Sequence, residues 1–330
     1  MLIEAFSEAK DRNAPHANED RFVILPGRAY AVIDGVTDRL GTRYDGMLSG
    51  QYAATIVKGA LEHALSRPDG PRDAPAIIAL LTEAIADAYR RHGTLETART
   101  DWNQRFSATL ALVLFQEGTV DIALVGDSGV RINGERIEQV EKDLDRITAT
   151  LRGQTWPVIG ARTDDAAVRE TTARRVTWFG TGQPLGDLGS VLTQGDLARV
   201  EERAMAACTA ALPHIPAEHI LRLVRGGIVH AQGAFQNDAG TILGYSALDG
   251  FEVPLSLVRF ERLQASEVET IELFTDGYFK PGDGFGVAAW EQAFREVERD
   301  DPAKVGAYPS TKGSTATQWA DDRTYVGVRL

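Results

Sequence analysis

Along the chain, short runs of β-branched and aromatic residues alternate with longer stretches of helical period. The short runs predict strands at Phe22–Leu25, Ala29–Ile33, Ser107–Phe115, Val120–Val125, Val130–Ile132, Val176–Phe179, Leu255–Phe260, Thr270–Phe274 and Thr324–Val328. Gln116-Glu117-Gly118-Thr119 is a connection of hairpin length, and Asn133-Gly134 supplies the residues that accept positive φ in a tight turn. Strands joined in this way are antiparallel. Helical period marks Met47–Leu65, where Tyr52, Ile56, Val57, Ala60, Leu61 and Leu65 share a face. It marks Ala74–Arg91 in the same way through Ile77, Ile78, Leu81, Ile85 and Tyr89, and recurs at Gln194–Leu212, Ala217–Ala231 and Val287–Glu298. A strand-rich chain with a helical pair after its second strand predicts an α+β fold of antiparallel sheets covered by helices. The stretch 138–240 mixes helix and turn signals and carries no motif.

Composition narrows the classes of partner. The 330 residues carry a formal net charge of -12, which repels phosphate backbones and anionic membranes. Neither nucleic acid nor a membrane surface is therefore an expected partner. The first residues, MLIEAFSEAKDR, have no basic and then apolar leader pattern, and no run reaches membrane-spanning length, so a cytoplasmic location is expected. The single cysteine, Cys208, excludes a disulfide framework within one chain. The 6 histidines show no pairing on one helical face, and no phosphate-binding P-loop or dinucleotide-binding glycine motif follows a strand.

The chemistry lies where apolar runs meet carboxylates. Ala-Tyr-Ala-Val-Ile runs into Asp34-Gly35, and Val-Asp-Ile-Ala-Leu-Val runs into Gly126-Asp127-Ser128. Thr-Ile-Glu-Leu-Phe-Thr runs into Asp276-Gly277, Asp321-Asp322-Arg323-Thr324 opens the last strand, and Glu19-Asp20 stands before Phe-Val-Ile-Leu. A carboxylate crowded against an apolar strand end costs free energy unless it is paired or bound to a cation. Hard divalent cations prefer such oxygen donors. A glycine after Asp34 lets the chain turn and offers a backbone carbonyl as a further ligand.

In this order, Asn18-Glu19-Asp20, Ile33-Asp34-Gly35, Ser107-Ala108-Thr109 leading to Val125-Gly126-Asp127-Ser128, Thr275-Asp276-Gly277 and Asp321-Asp322-Arg323-Thr324 resemble the motifs of the metal-dependent type 2C protein phosphatases of bacteria. The resemblance implies a four-layer αββα sandwich in one domain over residues 1–330, with an enlarged insertion at about 138–240. It implies two divalent cations, Mg²⁺ or Mn²⁺, with room for a third. Asp34 would bridge the pair, Asp276 and Asp321 would complete one site, and Glu19 with the carbonyl of Gly35 would serve the other. Asp127 matches the position for the third cation, and Asp20 and Asp322 would hold the ligands in place by hydrogen bonds. The implied activity is hydrolysis of phosphoserine or phosphothreonine in a phosphoprotein, by attack of a metal-activated water without a covalent intermediate.

The departures bear on substrate rather than on metal. Asp34-Gly35 is followed by Val36-Thr37, with neither a second glycine nor a histidine. Pro15 occupies the position of the phosphate-binding arginine, leaving Arg12, Arg21 and Arg43 as substitutes, Arg12 first because it lies in the same loop. Two other readings stay open: a phosphatase of a small phosphorylated metabolite, and a catalytically silent binding module of the same fold. Oligomeric state is not readable from the sequence.

Overall fold

The protein is described by a computed structural model that covers residues 1–184 and 186–330. Leu185, inside the expected insertion and its glycine-rich stretch, lies outside the described residues. The strands are β1 (Leu2–Glu8), β2 (Arg21–Leu25), β3 (Ala29–Gly35), β4 (Arg43–Tyr44), β5 (Met47–Leu48), β6 (Ala108–Gln116), β7 (Thr119–Val125), β8 (Gly129–Ile132), β9 (Arg136–Glu138), β10 (Arg259–Gln264), β11 (Thr270–Phe274) and β12 (Arg323–Arg329). The helices are α1 (Ser49–Ser66), α2 (Ala74–His92), α3 (Leu95–Thr100), α4 (Asp143–Gly160), α5 (Ala166–Phe179), α6 (Gln194–Ala211), α7 (Ala217–Ala231) and α8 (Val287–Asp300).

Two antiparallel five-stranded sheets form the centre, in the orders β1-β12-β11-β8-β9 and β10-β7-β6-β3-β2. Alternation along each strand decides which residues meet between the sheets. Tyr30, Val32, Ala111, Val113, Ile122 and Leu124 from one sheet pack with Val130, Ile271, Leu273, Val326 and Val328 from the other. The opposite faces are then left for helices. Ala31, Ile33, Leu110 and Leu112 pack under the apolar stripes of α1 and α2. On the other side α8 sets Trp290 and Phe294 against Phe274, Tyr278 and Tyr325. The layers run helix, sheet, sheet, helix, the αββα arrangement expected.

The helix-facing side of the β1-β12-β11-β8-β9 sheet holds a buried ion pair. Glu272 accepts from Arg131 Nε at 2.6 Å and Nη2 at 2.7 Å, and from Trp290 Nε1 and the Tyr325 hydroxyl, each at 2.8 Å. Arg131 gives two further N–H groups to the carbonyls of Gly282 and Gly284. Four of the five guanidinium N–H groups and both carboxylate oxygens are thus used, which meets the condition for tolerating buried charge.

Between β9 and β10 the chain builds a further helical body. Helices α4 to α7 bury Leu144, Ile147, Leu151, Val176, Leu197, Val200, Leu223 and Val224 in a core of their own. Two expectations are corrected here. Val176–Phe179, expected as a strand, is the last turn of α5, because Ala173 and Val176 share the face buried in this helical core and Thr177 bonds back to the Ala173 carbonyl at 2.9 Å. Leu255–Phe260, also expected as a strand, begins with a single 3₁₀ turn, and pairing with β7 starts only at Arg259. Helix α4 and strand β1 have no counterpart among the expected elements. The Asn133-Gly134 turn takes positive φ at both residues, 53° and 73°, as its sequence requires.

Candidate functional site

The topology brings three strand ends together. Asp34 is the penultimate residue of β3 and pairs with Thr109 of β6. Asp127 lies in the connection by which the chain leaves one sheet at Val125 and enters the other at Gly129. Asp276 lies two residues beyond the end of β11, whose last residue, Phe274, pairs with Gly129 of β8. One carboxylate oxygen from each of Asp34, Asp127 and Asp276 lies within 4.8 Å of the other two.

These carboxylates meet at the base of a cleft of about 560 Å³. Its walls come from the residue 36–39 loop, from α4 (Lys142 just before it, Asp145, Thr150, Gln154), from Trp178 and Gln232, and from the 305–312 segment. Among the described residues, neither Asp34 nor Asp276 contacts a cationic side chain, and burial followed by repulsion from neighbouring carboxylates raises both carboxyls well above the usual range. Asp127 has one partner, Lys142 at 2.6 Å, which also reaches Asp145 at 3.0 Å. The donor set fits a hard divalent cation: it is all oxygen, doubly unpartnered and closely spaced. Such a cation would supply the missing positive charge.

Glu19, Asp321 and Asp322 form a second set that already faces two lysines. The Lys10 ammonium lies against Glu19, 3.0 Å from Asp322 Oδ2 and 3.5 Å from Asp321 Oδ1. Lys312 lies 2.6 Å from Asp321 Oδ2. Burial would raise the Asp321 carboxyl, but Lys312 and Lys10 outweigh it and bring the group down to about 2. The same carboxylates hold Lys10 well above the usual lysine range despite its burial. Glu19 keeps one buried oxygen, Oε1, without a partner among the described residues, so it still has a lone pair to offer.

Below these carboxylates, one hydroxyl ties three motifs together. Thr275 Oγ1 donates to Asp20 Oδ2 at 2.8 Å and accepts from the Thr324 N–H at 2.9 Å. Thr109 and Ser128 join the two halves of a further motif through a hydroxyl pair at 2.8 Å. The glycine after Asp34 serves a different purpose from the one expected. Gly35 is a strand residue, and a Cβ there would lie 2.3 Å from the Gly50 carbonyl oxygen and 2.8 Å from that of Glu19. It permits close backbone approach rather than a sharp turn. Gly277 does the same against the Asp322 carbonyl, at 2.0 Å.

The three arginines proposed from the sequence sit elsewhere. Arg12 stacks on the Trp319 ring, 3.4 Å from its centroid, and donates to the Ala316 carbonyl. Arg21 donates to the carbonyls of Asn18 and Asp20, and Arg43 to that of Gly46. None of the three lines the cleft. Its cations are Arg39, Lys142, Arg146 and Lys312. Lone lysines and arginines carry no periodic or motif signal, and only a shared motif with known partners would have singled these out.

No protein-family model matches the chain, and no curated protein matches it in sequence. Solved structures with a similar course of chain exist. The serine/threonine phosphatase PstP/Ppp of Mycobacterium tuberculosis aligns over 100% of this chain and 99% of its own, at 17% identity and a TM-score of 0.43. The serine/threonine phosphatase Stp1 of Staphylococcus aureus aligns over 100% and 95%, at 14% identity and a TM-score of 0.44. A PstP catalytic domain in complex with 2 manganese ions aligns over 99% and 96%, at 16% identity and a TM-score of 0.44. The likeness is loose at these values, and the chemistry of this cleft rests on its own residues. Among the described residues, no helix is long and apolar enough to cross a membrane.

Proposed function

We propose that the chain is a metal-dependent phosphatase acting on phosphoserine or phosphothreonine esters in proteins. The observation that carries this reading is the convergence of Asp34, Asp127 and Asp276 from three separate strand ends, with two of the three carboxylates unpartnered. A fold rarely retains a mutually repulsive, half-buried set of this kind unless a ligand relieves it. The ordered motifs that resemble the type 2C phosphatases point the same way.

In this reading Asp34, Asp127 and Asp276 hold divalent cations, Mg²⁺ or Mn²⁺, with Glu19 Oε1 as an available further donor. Bound there, the cations would activate water and stabilise charge on the phosphoryl group. The protein's own contribution is placement. Thr275 fixes Asp20 and the start of β12, the Thr109–Ser128 pair fixes the connection that carries Asp127, and Lys10 holds Glu19, Asp321 and Asp322 in one orientation. The walls from α4, α5 and α7 narrow the approach to the floor of the cleft. That enclosure supports a second reading, a small phosphorylated metabolite as substrate.

The test is hydrolysis of phosphoserine and phosphothreonine peptides, beside a panel of phosphorylated metabolites, with added Mn²⁺ or Mg²⁺. Asp34→Ala and Asp276→Ala are expected to abolish cation-dependent cleavage of every substrate. Full activity in both variants would overturn the mechanism. Preference for a metabolite would select the second reading.

A further inference from the structure

The cleft needs a cation for the substrate's anionic oxygens, and the structure singles out one. Of the cations lining it, Lys142 is held by Asp127 and Asp145, Arg146 by Asp143 at 3.0 Å, and Arg39 bonds to Tyr245. Lys312 is buried and faces a single carboxylate, where Lys142 faces two and Arg146 is exposed. A lysine ammonium has three donors, and Lys312 uses two, toward Asp321 Oδ2 at 2.6 Å and Thr37 Oγ1 at 3.2 Å. The third N–H has no protein acceptor among the described residues. Lys312 lines the cleft together with Asp34, Asp276 and Asp321.

Its position is imposed from outside the sheets. Lys312 lies in the irregular segment between α8 and β12, and the next residue, Gly313, donates its N–H to Glu170 Oε1 of α5 at 3.1 Å. Glu170 is paired with the fully buried Arg152 of α4, which also donates to the Ala303 carbonyl at 2.9 Å. A Cβ at Gly313 would lie 2.6 to 2.8 Å from the Ala303 carbonyl oxygen, Arg152 Nη2 and Glu170 Oε2, so the backbone there fits without slack. Upstream, Asp301 accepts from the N–H groups of Val305, Gly306 and Tyr308, which stiffens the same segment.

We propose that Lys312 binds the phosphate oxygens of the substrate, in the role that Pro15 leaves vacant, and that the helical insertion positions it through Arg152, Glu170 and Gly313. This rests on the phosphatase reading and assigns the insertion a task within it. Lys312 is the binding residue. Arg152 and Glu170 are positioning residues that touch no substrate.

Inorganic phosphate is the probe. Its inhibition constant is measured against hydrolysis of an aryl phosphate ester at saturating Mn²⁺, and its direct binding to the Mn²⁺-loaded protein by titration calorimetry. Lys312→Met is expected to raise the inhibition constant and KM by about tenfold or more, the scale of one lost charge-assisted hydrogen bond, with Mn²⁺ affinity not weakened. Lys312→Arg is expected to restore most of the loss. Glu170→Gln is expected to raise KM in the same direction without altering Mn²⁺ affinity, and Arg12→Ala to leave both values unchanged. Phosphate affinity unchanged in a folded Lys312→Met protein, or weakened instead in Arg39→Ala or Arg12→Ala, would overturn the proposal. A wild-type protein that binds phosphate through Lys312 but hydrolyses nothing would sink the phosphatase reading and leave this one standing.

Discussion

Replacing Asp34 with asparagine removes one charge from three that repel one another, so its effect on stability should have the opposite sign to its effect on function. Each pair of carboxylate oxygens lies within 4.8 Å. At an effective dielectric of about 20, two unit charges at that separation repel by about 3 kcal/mol. Asp34 faces two such neighbours, and protonation together with the Lys142 partner of Asp127 relieves much of the repulsion. The Asp34 carboxyl is raised in the folded protein, by burial first and then by Asp20, Asp321 and Asp127. Its favourable contribution is therefore complete below the unfolded-state value of about 3.9 and lost as pH rises through the raised folded value. Denaturant unfolding with a chelator should show Asp34→Asn matching wild type near pH 4 and exceeding it by about 1–3 kcal/mol at pH 8. Added Mn²⁺ should then reverse the order, since a cation at a hundred times its dissociation constant stabilises the wild type by about 2.7 kcal/mol. If the variant is less stable than wild type in chelator at pH 8, the three aspartates are a structural cluster and the argument fails.

Other substitutions probe the supports of the site. Gly35→Ala drives a methyl group to 2.3 Å from the Gly50 carbonyl oxygen and should destabilise by about 1–3 kcal/mol or more, read by denaturant midpoint. Glu272→Ala strands the buried Arg131 charge and should cost about 3–5 kcal/mol, while the double change with Arg131→Met should cost less than the sum of the singles. Thr275→Val removes the donor to Asp20 and the acceptor for Thr324 and should cost about 1–3 kcal/mol; calorimetry should show Mn²⁺ affinity falling with it.

The frame of the molecule was legible because its signals are local. Short β-branched and aromatic runs bounded by Asp-Gly, Gly-Asp-Ser or Asp-Asp marked the strand ends, and apolar stripes marked α1 and α2. Where local propensity and tertiary burial diverged, the reading failed. Val176-Thr177-Trp178-Phe179 has strand chemistry, yet helical neighbours bury its apolar face. Helix α4 is rich in threonine and contains Pro157, so its stripe of Leu144, Ile147, Leu151 and Ile159 stands out only once its partners are known. In the site, the acidic residues could be named from sequence, but not their division into a bare set and one that faces two lysines. That division depends on Lys10 and Lys312, which lie 302 positions apart and reach the same Thr37 hydroxyl, at 3.0 and 3.2 Å.

The crossing of the chain between sheets at Asp127 has a kinetic consequence. Asp34 belongs to one sheet, Asp276 follows a strand of the other, and Asp127 sits on the bridge, so the trio exists only after the sheets have docked. Contacts of such sequence separation form late in folding. A cation that recognises the finished trio has nothing to grip in earlier species, so it should retard unfolding without hastening the search for the native state.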